Sequence, residues 1–126
     1  MKQITKNLLM VKPACFSSNN ETLSSNEFQH SIKSNNRRDT IQNLALNEFH
    51  QLVKSLEASK ICTYVYDDDR KYNNPDAVFP NNWISFHQNG SVILYPMMSL
   101  NRRKEKRTDI LDDLVKKGFT IKEVID

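Results

Sequence analysis

Glycine is scarce, cysteine is scarce, and no long apolar run occurs. The two glycines, Gly90 and Gly118, stand where 126 residues would carry about nine on average. With that shortage and room for one modest core, the isolated chain is not expected to be highly stable. The two cysteines, Cys15 and Cys62, lie 47 positions apart. Without a secretory leader they read as reduced thiols and not as a disulfide framework. His30, His50 and His87 are spread along the chain, so no Cys/His cluster has the spacing of a zinc site; no metal and no other cofactor is expected. The run Leu8-Leu9-Met10-Val11 falls far short of the roughly 20 residues that span a bilayer and is too short for a signal peptide. A cytoplasmic protein without a membrane partner is the reading. Charge of one sign is lacking too. The net charge is +3, with eight basic against five acidic residues up to Thr63 and ten against ten beyond it. Nucleic acid is therefore not expected as a partner.

What is present is a polar, globular composition with 38% hydrophobic and 26% charged residues. Leu8 to Val11, stopped by Pro13, predicts a short buried strand. Ser17 to Asn36 is dense in Ser and Asn, whose side chains bond their own backbone, and predicts a long surface loop, either a flap beside a site or a plain insertion. From Thr40 to Ser59, Ile41, Leu44, Ala45, Phe49, Leu52, Val53 and Leu56 recur at helical spacing. Ile61 to Tyr66 is β-branched and aromatic and predicts a strand packed on that helix. Asn82–His87 and Ser91–Tyr95 flank Gln88-Asn89-Gly90 and predict a hairpin with a two-residue type I′ turn, pairing Gln88 with Ser91, Phe86 with Ile93 and Ile84 with Tyr95. A second helix over Glu105 to Lys117, ended by Gly118, and a last strand over Phe119 to Ile125 complete a mixed α/β pattern.

Two concentrations of polar residues could carry chemistry. Asp76, Asn81, Asn82 and Trp83 gather at the mouth of the hairpin, where open α/β sheets present groups to ligands, although the same residue types also serve ordinary loops. Arg102-Arg103-Lys104-Glu105-Lys106-Arg107 stands at the start of the second helix. It reads either as a phosphate-contacting patch or as a solvated face from which one arginine turns in to clamp a carboxylate.

The segments Met10–Phe16 with Asn19 and Glu21-Thr22, Asn26–Gln29, Pro75–Trp83, Leu94–Met97, and Asn101-Arg102-Arg103 with Glu105 and Arg107 together resemble one family. This is the N-terminal part of the arginine-deiminase-related, citrulline-utilisation hydrolases of the amidinotransferase, or pentein, superfamily, and the resemblance covers essentially the whole chain. It implies a five-bladed αβ-propeller of which residues 1–126 form about two blades, an N-terminal fragment of a single domain. In such relatives a cysteine attacks the amidine or ureido carbon, a histidine moves protons and ammonia leaves. Neither Cys15 nor Cys62 matches the nucleophile's segment, and His87 lies away from the histidine motif, so no catalytic residue is expected in this chain.

What the resemblance carries over is substrate holding, by Asp76, by Asn81 and Asn82 where relatives acting on methylated arginine have acidic residues, and by Arg103 or failing that Arg102 as carboxylate clamp. A carboxylate suits a cationic guanidinium, whereas an Asn amide offers donor and acceptor to a neutral ureido group, which favours citrulline over arginine. The expected ligand is thus a citrulline- or arginine-like small molecule. The alternative is a non-catalytic binding or interaction module derived from the family. Either form would leave strand edges open for self-association or for pairing with a missing C-terminal part.

Overall fold

Asn7–Lys12 (β1) and Cys62–Asp67 (β2) are built from aliphatic, β-branched and aromatic residues, and they pair in parallel from Asn7 opposite Cys62 to Lys12 opposite Asp67. Parallel neighbours need a crossover, and α1, Asn35–Ala58, supplies it. The computed structural model describes residues 4–25, 27 and 35–126, with side chains in α1 described from Arg38 onward. Much of the Ser/Asn-rich segment lies outside these residues; its described part forms turns near Asn20–Ser25, and its last two residues already belong to α1. The chain divides into two compact units, Met1–Phe79 and Pro80–Asp126.

In the first unit, α1 starts five residues before Thr40, and its inward stripe keeps Ile41, Ala45, Phe49, Val53 and Leu56 of the predicted face while the Leu44 and Leu52 edge turns out. Leu44 and Leu52 are 54% and 51% exposed, while Gln42 and Phe49, seven positions apart on one stripe, are buried. The polar Gln42 is buried because both ends of its amide are occupied. Its Nε2 donates to the Pro13 carbonyl at 2.8 Å and its Oε1 accepts from the Phe16 N–H. The helix closes with paired bonds from Lys60 N to Glu57 O and from Ile61 N to Leu56 O. This is a Schellman cap whose left-handed position (φ 61°) is filled by Lys60 and not by glycine.

In the second unit, Ile84–Phe86 (β3) and Ser91–Leu94 (β4) form an antiparallel hairpin, and Glu123–Ile125 (β5) pairs in parallel with β4. The sheet order is β3-β4-β5, and the β4-to-β5 crossover is α2, Asp109–Lys116. The hairpin register differs by one residue from the prediction. Ile84 faces Leu94 and Phe86 faces Val92, because the loop has three residues and not two. His87 O accepts from Gly90 N, and only Gly90 has a positive φ (93°), whereas a type I′ turn would need Asn89 there as well. The slip changes which residues share a face: Ile84, Val92 and Leu94 are buried while Phe86 is exposed. The second helix is also shorter than predicted, since Asn101–Glu105 is a separate 3-10 turn, and the last strand covers only its final three residues. Gly118 ends α2 as predicted, with Gly118 N on Val115 O, Phe119 N on Leu114 O and φ at 96°. Trp83, Ile110, Leu111 and Leu114 join the sheet's inner residues as the buried apolar set of this unit. No described helix is long and apolar enough to cross a membrane.

Candidate functional site

Each unit gathers its polar side chains beyond the carboxyl ends of its parallel strands, the end at which open α/β sheets hold ligands. In the first unit this end carries Asp76, one of the predicted site residues. Asp76 stands in the turn after Pro75, and its Oδ2 accepts from Asn19 Nδ2 at 2.7 Å. Asn19, only 1% exposed, also caps its own turn by accepting from Glu21 N at Oδ1. The carboxylate is therefore oriented by a buried amide that donates to it. Asn74, equally buried, donates from Nδ2 to Asp68 Oδ1 at 3.1 Å.

Cys15 belongs to the same end of this unit. Its thiol lies 3.9 Å from the Arg70 carbonyl, and its pKa is raised, first by burial and then by the charge of Asp68, against a smaller opposing pull from Arg70. A thiol held protonated is a poor nucleophile. Cys62 is exposed on β2, and no described histidine is hydrogen-bonded to either cysteine. His87 instead reaches Ser85 Oγ at 3.0 Å on the exposed side of the hairpin, where Ser85 also meets Tyr95 Oη at 2.9 Å.

In the second unit the fold brings Asn82 and the arginine segment together. Asn81 and Asn82 lie in the 3-10 turn Pro80–Asn82 before β3, and not in the strand itself. Burial of Trp83 and its backbone bonds, Trp83 N to Pro80 O and Tyr95 N to Trp83 O, fix this turn against the ladder. Because β3 runs antiparallel to β4, the start of β3 and the turn after β4 share one end of the sheet. That turn carries Arg102, Arg103 and Glu105. Arg102 grips Glu105 with two bonds, Nε to Oε1 at 3.0 Å and Nη2 to Oε2 at 2.8 Å, and gives a third from Nη1 to Asn82 Oδ1 at 3.0 Å. The Glu105 side chain is 1% exposed and that of Arg102 12%, so this is a nearly dry, fork-shaped pair.

Arg103 is placed differently. It is exposed, and its Nε donates to the Met97 carbonyl at 3.1 Å, which orients the guanidinium beside an open depression of about 240 Å³ lined also by Pro96, Met97 and Lys106. Lys106 in turn pairs with Asp126 at 2.8 Å. Of the two arginines considered as a carboxylate clamp, Arg102 is committed to Glu105 and Asn82, whereas the Arg103 guanidinium has only the Met97 bond among the described residues. Asn81 is exposed in the same turn as Asn82. The signal for Glu105 was in the sequence as an Arg and a Glu three positions apart. Nothing in the composition marked Asn19 as the partner of Asp76.

Residues 12–126 match the family model described as N,N dimethylarginine dimethylhydrolase, eukaryotic. The chain belongs to this family. The match upholds the superfamily that the motifs resembled, arginine-modifying hydrolases of the pentein class, and it does not extend to the citrulline-utilisation subtype. No curated protein and no solved structure gives a match. The mixed α/β architecture with two sheets is consistent with a pentein-type domain.

Proposed function

We propose that this chain is the substrate-holding part of a C–N hydrolase acting on the ureido or amidino end of a citrulline- or arginine-like amino acid. Its two β-α-β units correspond in this reading to about two blades of a pentein propeller. The family's description names dimethylarginine, and attack on a methylated guanidinium carbon is the general chemistry that membership suggests. The observation that carries the proposal is the end of the β3-β4-β5 sheet, where an amide, Asn82, and an arginine with an open guanidinium, Arg103, stand on neighbouring turns. Arg103 supplies planar, two-pronged donors for the α-carboxylate of an amino acid. Asn81 and Asn82, in the turn before β3, offer neutral amides to the far end of the ligand.

The nucleophile is assigned to neither cysteine of this sequence. Cys15 is kept protonated by its surroundings, and Cys62 has no described histidine beside it. Calorimetric titration of the 126-residue chain with L-citrulline tests the reading. Binding without ammonia release is expected, and Arg103→Ala weakens it about tenfold, the scale of one lost charge-assisted contact. Unchanged binding in Arg103→Ala would count against the carboxylate clamp, and ammonia release would overturn the assignment of no catalytic residue. A binding module without chemistry is the second reading, favoured by the state of Cys15. Dimethylarginine turnover by the whole enzyme that contains these residues would exclude it.

A further inference from the structure

We infer that Arg102 is a positioning residue, anchored on Glu105, that fixes the Asn82 amide with its Nδ2 donors outward, so that this position reads an oxygen acceptor of the ligand and disfavours a cationic guanidinium. This rests on the substrate reading above and sharpens it. Which way an Asn amide points is usually a matter of inference, but here the partner decides. A guanidinium has donors only, so the atom 3.0 Å from Arg102 Nη1 must be the Asn82 carbonyl oxygen. Arg102 itself cannot swing freely, because two parallel bonds hold it to a carboxylate that is almost completely buried.

Two consequences follow for a ligand at Asn82. First, Asn82 is exposed and its Nδ2 has no partner among the described residues, so the group it presents is a donor pair. A ureido oxygen can accept from it, whereas the nitrogens of a guanidinium are themselves donors. Second, the Arg102 guanidinium one hydrogen bond behind that amide has its charge compensated by Glu105, so it acts by holding the amide's orientation and not as a free positive charge. Asn in place of an acidic residue would by itself leave the amide free to turn either way. Arg102 removes that freedom.

L-citrulline and L-arginine are the probes, since they differ only in the terminal oxygen against a charged nitrogen. The experiment follows the 15N-labelled 126-residue chain by NMR, reading the Asn82 side-chain NH₂ signals and the dissociation constants of both probes. The wild type is expected to bind citrulline about tenfold or more tighter than arginine, with both Nδ2 protons shifted on citrulline addition. Because Arg102→Gln leaves Glu105 buried and unpaired, the test variant is the neutral double substitution Arg102→Gln with Glu105→Gln, with the folded spectrum as control. There the preference should fall to about threefold or less and the free-state Asn82 NH₂ signals should move. Asn82→Asp, which replaces the donors by a carboxylate paired to Arg102, should also abolish the preference. Unmoved Asn82 signals in the double variant, or an unchanged ratio of the two affinities, would overturn the inference while leaving the substrate reading intact. If neither probe shifts any signal of Pro80–Asp126, the substrate reading fails and takes the preference with it. Arg102's hold on the amide is then decided by the free-state signals alone.

Discussion

The two units solve the same local problem, a helix crossing between parallel strands, with opposite materials. Among the described residues and leaving prolines aside, the second, Pro80–Asp126, buries eight apolar residues (Trp83, Ile84, Val92, Leu94, Met97, Ile110, Leu111 and Leu114), whereas the longer first unit buries three, Val11, Phe49 and Ala77. In place of apolar bulk the first unit buries amides: Gln42, Asn19 and Asn74 each tie a loop or turn to its surroundings. The eight-residue α2 sinks Ile110, Leu111 and Leu114, while the 24-residue α1 leaves two leucines half in the open. A helical apolar stripe thus announces a helix, but its length does not measure how much of it is buried. The unit with the drier interior is also the one that can hold an ion pair nearly out of water, which is what Arg102 needs to orient Asn82.

If that contrast is right, the largest effect comes from breaking the dry pair. Glu105→Ala strands the Arg102 charge and should cost about 3–5 kcal/mol, read by urea unfolding of the whole chain. Next, Ile110→Ala should cost about 2–5 kcal/mol, while Leu52→Ala on the exposed side of α1 should cost well under about 1 kcal/mol. Equal losses would erase the distinction between the units. The third comparison uses the two Schellman caps. Gly118→Lys puts a side chain on a left-handed residue and should destabilise by about 1 kcal/mol although nothing lies within 4 Å of its would-be Cβ. Lys60→Gly relieves the same strain at the end of α1 and should stabilise by a few tenths of a kcal/mol, on the order left after the entropy of a free glycine is subtracted.

The smallest effect is electrostatic and sits at the start of α2. Asp109 has its carboxyl pKa lowered, chiefly by hydrogen bonding from Arg107 and against some desolvation. A carboxyl lowered on folding contributes stability above its unfolded pKa and loses it as pH falls through the lower folded value. Because the Asp109 side chain is 62% exposed, solvent screening limits this to a few tenths of a kcal/mol, roughly the range of surface pairs. Asp109→Asn should remove that share of the acid-side slope in unfolding free energy against pH and nothing else.

Much of this arrangement could be read from the sequence because local rules carried it. Proline after Val11, Gly118 after the second apolar group and the two-residue connection before Ile61 placed strands and helix ends to within a few residues. The hairpin register was lost on a single dihedral. Asn89-Gly90 fits a two-residue turn by composition, and only the ordinary φ of Asn89 shows that the loop has three. The inward stripe of α1 was legible at Ile41, Ala45, Phe49, Val53 and Leu56, but its centring on Gln42 was not, because a buried glutamine carries no hydropathy signal; its burial depends on backbone groups at Pro13 and Phe16, far away in sequence. The site was legible as residue types and not as roles. Asn82 and the arginines were in view, but which arginine holds the amide and which stays open depends on Glu105 and on the Met97 carbonyl.

The most direct test of the central claim, that the second unit reads a ligand oxygen through an Arg102-fixed amide, is a crystal structure of the chain with L-citrulline bound. It should show the ureido oxygen within hydrogen-bond distance of Asn82 Nδ2 while Arg102 keeps its bond to Oδ1. A ligand nitrogen on Asn82 Oδ1, with Arg102 turned away to hold the carboxylate, would contradict it.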